Sequence, residues 1–237
     1  MFLGGTIVIY VLSDIHGMYD KYQQMLAKID LKPEDTLYIL GDVIDRGKHS
    51  IDILKDMMTR DNICPLIGNH ELMAVKCLSW LHQEITDETI EQLNEEQLMD
   101  YVNWMINGGD LTIEHFTQLS VSERDEILNY LLNFLAYAQV KVNGKKYLLV
   151  HAGIDHFDPD KSLDEYDIND LVWARPDFQR SYYDDQYVIV GHTPTLMISH
   201  KPEIYHHEQF IVIDCGACYP GGRLACLCLD TMEEFYV

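Results

Sequence analysis

Five short motifs in this sequence combine metal-binding residue types with glycine: residues 14–17 (DIHG), 41–47 (GDVIDRG), 68–71 (GNHE), 151–153 (HAG) and 191–193 (GHT). Six of their side chains carry the imidazole, carboxylate or amide atoms that bind metal ions: Asp14, His16, Asp42, Asn69, His151 and His192. This mixture suits manganese, iron or zinc better than calcium or magnesium. Six ligands exceed what one tetrahedral site with an open position needs, so we expect two ions. Asp42 is expected to bridge them because it lies between the other ligands in chain order.

Each motif follows a short apolar run that predicts a β-strand, and the seven predicted strands are residues 6–12, 36–40, 63–67, 147–150, 187–190, 210–213 and 224–229. In α/β sheets, ligands bind where the carboxyl ends of strands meet. Glycine beside such an end lets the backbone turn sharply and approach a ligand closely. The predicted strands therefore bring the five motifs to one site.

Segments with helical periodicity separate the early predicted strands. Apolar residues at 22, 25, 26 and 29 follow the helical period, and those at 51, 54 and 58 repeat it after an expected N-cap at Ser50. Alternation of strand and helix predicts parallel pairing in the first third of the chain. Farther on, Asn143-Gly144 between two apolar runs predicts a tight β-hairpin.

Residues 71–135 differ from their surroundings because they have a helical pattern throughout. Asn107-Gly108-Gly109 predicts the end of one helix, and Ser120 with Glu123 predicts a capping box that starts another. We expect this helical insertion to shape access to the site. With no internal repeat or linker, residues 1–237 are expected to form a single α/β domain.

Composition limits the partners. The chain has 237 residues, 47% of them hydrophobic, and a formal net charge of −22 from 17 basic and 39 acidic side chains. Such a charge disfavours nucleic acid and anionic membranes, whereas a phosphate-bearing substrate is compatible if metal ions reverse the local field. No signal peptide or membrane span is recognisable, and the six cysteines are expected to be reduced thiols of a cytoplasmic protein. The sequence does not indicate an oligomeric state.

Taken together, the motifs resemble those of the phosphoprotein phosphatases (PPP family) within the calcineurin-like metallophosphoesterases, and most closely the bacterial and phage-type serine/threonine phosphatases. Three further segments are similar to the same group: residues 107–112 (NGGDLT), 172–175 (VWAR) and 213–224 (IDCGACYPGGRL). The resemblance implies a β-sandwich flanked by helices, with a dinuclear metal centre at one edge.

The resemblance also implies roles for single residues. The first metal would be bound by Asp14, His16 and Asp42, and the second by Asp42, Asn69, His151 and His192. His70 resembles the catalytic acid and Asp45 the carboxylate that orients it, while Arg46 and Arg175 resemble the phosphate-binding arginines, with Asn69 also beside the substrate. Manganese is the expected metal, with iron or zinc as alternatives. Lys48-His49 stands where the Pro-Asp that often follows the GDVIDRG motif in this family would be. This difference bears on local substrate preference.

The implied function is hydrolysis of phosphomonoesters by a metal-activated hydroxide, with phosphorylated proteins or small phosphoesters as substrates. A serine/threonine protein phosphatase is favoured, and a dinucleoside polyphosphate hydrolase is the enzymatic alternative. The non-enzymatic alternative is a zinc-stabilised binding module. Its zinc ligands would be the four cysteines Cys215, Cys218, Cys226 and Cys228. Tyr219 follows a predicted strand end, which is compatible with a place near the site, but a packing residue is the favoured interpretation.

Overall fold

Two five-stranded mixed sheets carry the fold in the computed structural model, which describes residues 7–81 and 93–237. The strands are β1 (Ile9–Leu12), β2 (Thr36–Ile39), β3 (Ile63–Pro65), β4 (Tyr137–Val142), β5 (Lys145–Val150), β6 (Gln186–Val190), β7 (Tyr205–His207), β8 (Phe210–Val212), β9 (Ala225–Cys228) and β10 (Glu234–Tyr236). The first sheet has the order β10-β9-β1-β2-β3, and the second has the order β4-β5-β6-β8-β7. The carboxyl ends of β1 and β2 in one sheet and of β5 and β6 in the other lead into the predicted motifs.

The parallel pairing predicted for the first third of the chain and the predicted hairpin are confirmed, whereas the predicted N-cap is wrong. β1 pairs with β2, and β2 with β3, in parallel, because the helices α1 (Tyr19–Ile29) and α2 (Ser50–Met58) return the chain to the same end of the sheet. Asn143 and Gly144 join β4 to β5 with φ values of 49° and 82°, as a type I′ turn requires. Ser50 is the first residue of α2 and not its N-cap, which is His49. Its hydroxyl instead accepts a hydrogen bond from the backbone N–H of Asp45 at 2.9 Å.

The helical insertion contains α3 (Asn69–Leu81), α4 (Glu95–Ile106), α5 (Asp110–Thr117) and α6 (Val121–Leu132). α4 ends directly before Asn107, and α6 begins with the predicted capping box of Ser120 and Glu123. Residues 82–92 of the predicted insertion lie outside the described residues. Two short helices follow the hairpin, α7 (Ile168–Val172) and α8 (Thr195–Ile198), together with a 3₁₀ turn over Leu163–Glu165.

Within the described part of the chain, three apolar clusters hold these layers together. The cluster between the sheets combines Val11 and Leu227 of the first sheet with Leu149 and Ile211 of the second. The insertion helices, α1 and α2 cover the outer face of the first sheet, and loop residues such as Phe178 cover the outer face of the second. The result is the helix-flanked β-sandwich that the resemblance implies. In the ranges 7–81 and 93–237, no helix is long and apolar enough to cross a membrane.

Candidate active site

Asp42 lies at the centre of the edge where the five motifs meet. Its Oδ2 atom is 3.6 Å from His16 Nε2 and 3.9 Å from His70 Nε2, and its Oδ1 atom is 3.4 Å from His151 Nε2. The described residues contain two groups whose ligand atoms all lie within 4.8 Å of one another: His16, Asp42 and His70, and Asp42, His151 and His192. Asp42 is therefore placed where a shared ligand would have to be.

Two buried histidines turn their Nε2 atoms toward this centre. Their Nδ1 atoms face backbone carbonyls, at 3.0 Å from Ile44 O for His16 and 2.6 Å from Leu40 O for His151. An Nδ1–H that donates to a carbonyl leaves the Nε2 lone pair free for a metal. His192 adds a buried Nε2 atom that has no hydrogen-bond partner. Acceptor atoms that converge in this way fit a bound cation.

The charge states of the histidines also fit metal ligands. Burial lowers the pKa of His16 to about 3 and that of His192 to about 2, and it lowers the pKa of His151 as well. All three imidazoles are consequently neutral, which is the form that binds metals.

Asp14 lies beside the two groups of possible metal ligands but belongs to neither. Its two carboxylate oxygens accept hydrogen bonds of 3.1 and 3.0 Å from the backbone N–H of His192. Burial, followed by the charges of Asp214 and Asp42, raises the pKa of Asp14 well above its usual value. Burial likewise raises the pKa of Asp214 to about 7. A cation at this position would offset the repulsion among the three carboxylates.

His70 and Asp45 form the predicted pair. His70 Nδ1 lies 2.7 Å from Asp45 Oδ2, and both side chains are fully buried. Burial alone would lower the pKa of His70, but the carboxylates of Asp42 and Asp45 outweigh it and raise the pKa. The insertion helices add two donors that the sequence analysis missed, Trp104 and Thr112, each 2.7 Å from the Asp45 carboxylate. Thr112 ends the NGGDLT segment, whereas nothing in the pattern around Trp104 indicates a role.

The Arg46 guanidinium spans the mouth of the site. One terminal nitrogen is 2.9 Å from His16 Nε2 and 3.1 Å from the Tyr219 hydroxyl, and the other is 3.1 Å from His70 Nε2. Tyr219 is 44% exposed, so the expectation of a packing residue is wrong. Arg175 donates to the Thr193 hydroxyl at 3.0 Å, next to His192 in the chain.

Six non-glycine residues of the site have left-handed backbone conformations, with φ between 47° and 73°: Asp14, His16, Asp42, Asp45, Arg46 and His192. Each such residue costs about 1–3 kcal/mol and persists only where its surroundings impose it. Half of the twelve non-glycine residues with left-handed conformations in the described ranges thus lie in the three loops that present possible metal ligands and the arginine.

A family model for the calcineurin-like phosphoesterases matches residues 7–216, which include all five motifs. The chain belongs to this family. The predicted resemblance and fold class are therefore confirmed.

Relatives of this phosphoesterase divide between two substrate classes. The serine/threonine-protein phosphatase 2 of Salmonella typhimurium is 29% identical over 223 residues, 90% of this chain and 89% of that protein. A symmetrical bis(5'-nucleosyl)-tetraphosphatase of an Enterobacter species is 30% identical over 238 residues, 95% of this chain and 71% of that protein. The match to a protein of the same name from Acidovorax ebreus covers only 44% of its length. A crystal structure of a candidate diadenosine tetraphosphatase shares the fold, with a TM-score of 0.65, 16% identity and coverage of 99% of this chain and 94% of that one.

The hypothesis of a cysteine zinc site in this phosphoesterase is wrong. Cys215 belongs to the apolar cluster between the sheets, whereas Cys226 packs in the cluster on the opposite face of the first sheet. The two groups of possible metal ligands among the described residues contain no cysteine. The thiols that alternate along β9 are core side chains.

Glu71 connects two of the site loops, and the sequence analysis gave it no role. Its carboxylate accepts from the backbone N–H groups of Asp42 and Val43 at 2.8 Å, of Gly68 at 2.9 Å and of Ile44 at 3.3 Å. Burial and the charge of Asp42 raise the pKa of Glu71 to about 7, although the backbone donors favour the carboxylate. One side chain thus fixes the loop of Asp42 against the start of α3.

We expect Glu71→Gln to lower the free energy of unfolding of the metal-free phosphoesterase by about 3 kcal/mol, because its NH₂ group would face buried N–H donors. Urea unfolding at about pH 8, where the carboxylate is ionised, measures the change. Glu114→Gln, at an exposed position of α5, is the control and should stay within about 0.5 kcal/mol of the wild type. Equal stability of the two variants would contradict the structural role of Glu71.

Proposed function

We propose that this phosphoesterase is a metal-dependent phosphomonoesterase that removes phosphate from serine and threonine residues of proteins. The observation that carries the proposal is the buried His70–Asp45 pair, at 2.7 Å, directly beside the Arg46 guanidinium. With His70 as proton donor and Arg46 as phosphate-binding group, both would act next to the side chains that could bind metal. The Salmonella relative, which is matched over most of both chains, supports the same substrate class.

Two divalent ions would be held by the buried acceptors. As the resemblance implies, Asp14, His16 and Asp42 would bind one ion, and Asp42, Asn69, His151 and His192 would bind the other. The structure supports this set by bringing His16 to Asp42 on one side and His151 and His192 to Asp42 on the other, with Asp14 and Asn69 buried beside them. Manganese is the proposed metal, with iron or zinc as alternatives, because imidazole and carboxylate together suit these ions. When bound, the ions supply positive charge for phosphate oxygens and a water of lowered pKa.

The protein's own residues perform the remaining tasks. Arg46 and Arg175 would bind the phosphoryl oxygens, since a guanidinium donates in a planar fork. Arg46 is exposed, and one of its terminal nitrogens contacts the neutral His16 ring and the Tyr219 hydroxyl, so turning toward a phosphate would exchange these uncharged partners for a charged one. His70 would donate a proton to the departing serine or threonine oxygen while Asp45 holds the ring through Nδ1. Asn69, at 3.0 Å from His151 Nε2, would lie beside both metal and substrate.

Hydrolysis of dinucleoside polyphosphates is the second candidate. It is favoured by the Enterobacter relative, matched over 95% of this chain. The same ions and arginines would serve it, but its leaving group is a nucleotide phosphate and not an alkoxide. A phosphate needs less help from a proton donor, so His70 would matter less.

The two candidates differ in the substrate that metal-loaded protein prefers. After chelation and addition of manganese, we expect a higher kcat/KM for a phosphoserine peptide than for diadenosine tetraphosphate, and no activity before manganese is added. His156→Ala, at a histidine whose side chain is 90% exposed, serves as a control for nonspecific metal effects. Full activity of metal-free protein would contradict metal dependence, and preference for the dinucleotide would favour the second candidate.

A further inference from the structure

The Asp45 carboxylate is completely enclosed, and the helical insertion surrounds it. Asp45 and Trp104 are 0% exposed, and Thr112 is 1% exposed. Trp104 stands near the end of α4, and Thr112 lies in the first turns of α5. The segment between them is the Asn107-Gly108-Gly109 turn. A buried carboxylate needs donors on both oxygens, and here these helices provide two of them.

We propose that Trp104 and Thr112 are positioning residues, which fix the Asp45 carboxylate and through it the ring of His70. The proposal rests on the proposed function, in which His70 is the proton donor. Neither residue would touch the substrate. Their contribution would be to keep His70 Nε2 aimed at the leaving oxygen.

The hydrogen bonds leave the carboxylate no free rotation. Asp45 Oδ2 accepts from Trp104 Nε1 and from His70 Nδ1, each at 2.7 Å. Oδ1 accepts from the Thr112 hydroxyl at 2.7 Å. The Thr112 oxygen in turn accepts from the Asp45 backbone N–H at 3.2 Å. Side chain and backbone of Asp45 are therefore held by the same threonine.

Backbone strain makes this support necessary. Asp45 has a φ of 73°, a conformation that a non-glycine residue keeps only when its surroundings impose it. Without the two donors from the insertion, His70 would be the one side-chain partner left to the carboxylate among the described residues. The ring of His70 would then lose its fixed orientation, because the Asp45 carboxylate that holds it could rotate.

The Asn107-Gly108-Gly109 turn joins this support to the phosphate-binding arginine. The backbone N–H of Arg46 donates to Gly108 O at 2.9 Å, and that of Gly109 donates to Trp104 O at 3.1 Å. A Cβ atom on Gly109 would lie 2.6 Å from Trp104 Nε1, so the turn must pass directly over the indole. This turn therefore fixes the position of the Trp104 indole and that of the Arg46 backbone. The insertion therefore takes part in catalysis as well as shaping access.

Conservative variants test the proposal in manganese-loaded protein. Trp104→Phe removes the N–H and keeps most of the ring, and Thr112→Val removes the hydroxyl and keeps the shape. Each should lower kcat on a phosphoserine peptide about tenfold, the rate equivalent of one hydrogen bond to a charged group, with KM little changed. The loss on an aryl phosphate should be smaller, because its leaving group needs less proton donation. Thr112→Ser keeps the donor and should retain nearly the wild-type kcat.

A double variant separates positioning from general damage to the fold. If Trp104 acts through His70, adding Trp104→Phe to His70→Asn should cause no further loss of kcat. The same loss in both backgrounds, or equal losses for Thr112→Ser and Thr112→Val, would overturn the proposal. His70→Asn alone tests the proton-donor role by its dependence on the leaving group, so failure of that role is distinguishable from failure of the positioning.

Discussion

Asp42→Asn should empty both metal sites and lower phosphoesterase activity on any substrate by at least about 1000-fold, since metal ions supply several kcal/mol of transition-state stabilisation. The physical reason is the position of the carboxylate, which lies within 3.6 Å of His16 on one side and 3.4 Å of His151 on the other. An amide keeps the shape of the side chain and loses the charge that two cations would share. Elemental analysis of the purified variant measures the number of bound ions.

His16→Ala is the matched comparison, because His16 belongs to only one of the two groups of possible ligands. It should reduce occupancy at one site and leave the other largely filled. Retention of two ions in Asp42→Asn would rule out a bridging role. Loss of both ions in His16→Ala would mean that the two sites do not fill independently.

His70→Asn should lower kcat on a phosphoserine peptide by about 10²–10⁴-fold, the usual contribution of a general acid. The loss on an aryl phosphate should be much smaller, since a serine alkoxide needs a proton to depart and a nitrophenolate does not. Steady-state kinetics on the two substrates measure this difference. The metal content has to be checked, because His70 directly follows Asn69.

Arg46→Ala separates proton donation from phosphate binding. The phosphate is common to both substrates, so this variant should weaken both similarly, in KM as well as in kcat. If His70→Asn loses the same factor on both substrates with its metals intact, His70 is not the proton donor. It would then be an electrostatic contact to the phosphoryl group.

The sequence predicts much of the fold and the centre of the site because the signals are local. Each motif directly follows an apolar strand, so the order of strands and motifs could be recognised along the chain. The type I′ hairpin at Asn143-Gly144 and the capping box of α6 depend on neighbouring residues in the same way. Such features need no knowledge of tertiary contacts.

The contacts around Asp45 could not be predicted, because they depend on residues distant in the chain. Trp104 and Thr112 are 59 and 67 residues away from Asp45, and their role exists only after α4 has packed on α3 and α5 on α2. Tyr219 is 173 residues from Arg46. Ser50 was assigned to helix capping because its position fits that role, whereas its hydroxyl binds the strained loop.

The site lies across the junction of the two sheets, and this has a consequence during biosynthesis. Asp14, His16, Asp42 and His70 follow the early strands β1, β2 and β3 of the first sheet, whereas His151 and His192 belong to loops that follow β5 and β6 of the second. A growing chain that ends before His151 therefore lacks the imidazoles of one of the two groups of possible metal ligands. Hydrolysis would therefore have to wait until β5 and β6 have been synthesised and have packed against the early strands β1 and β2.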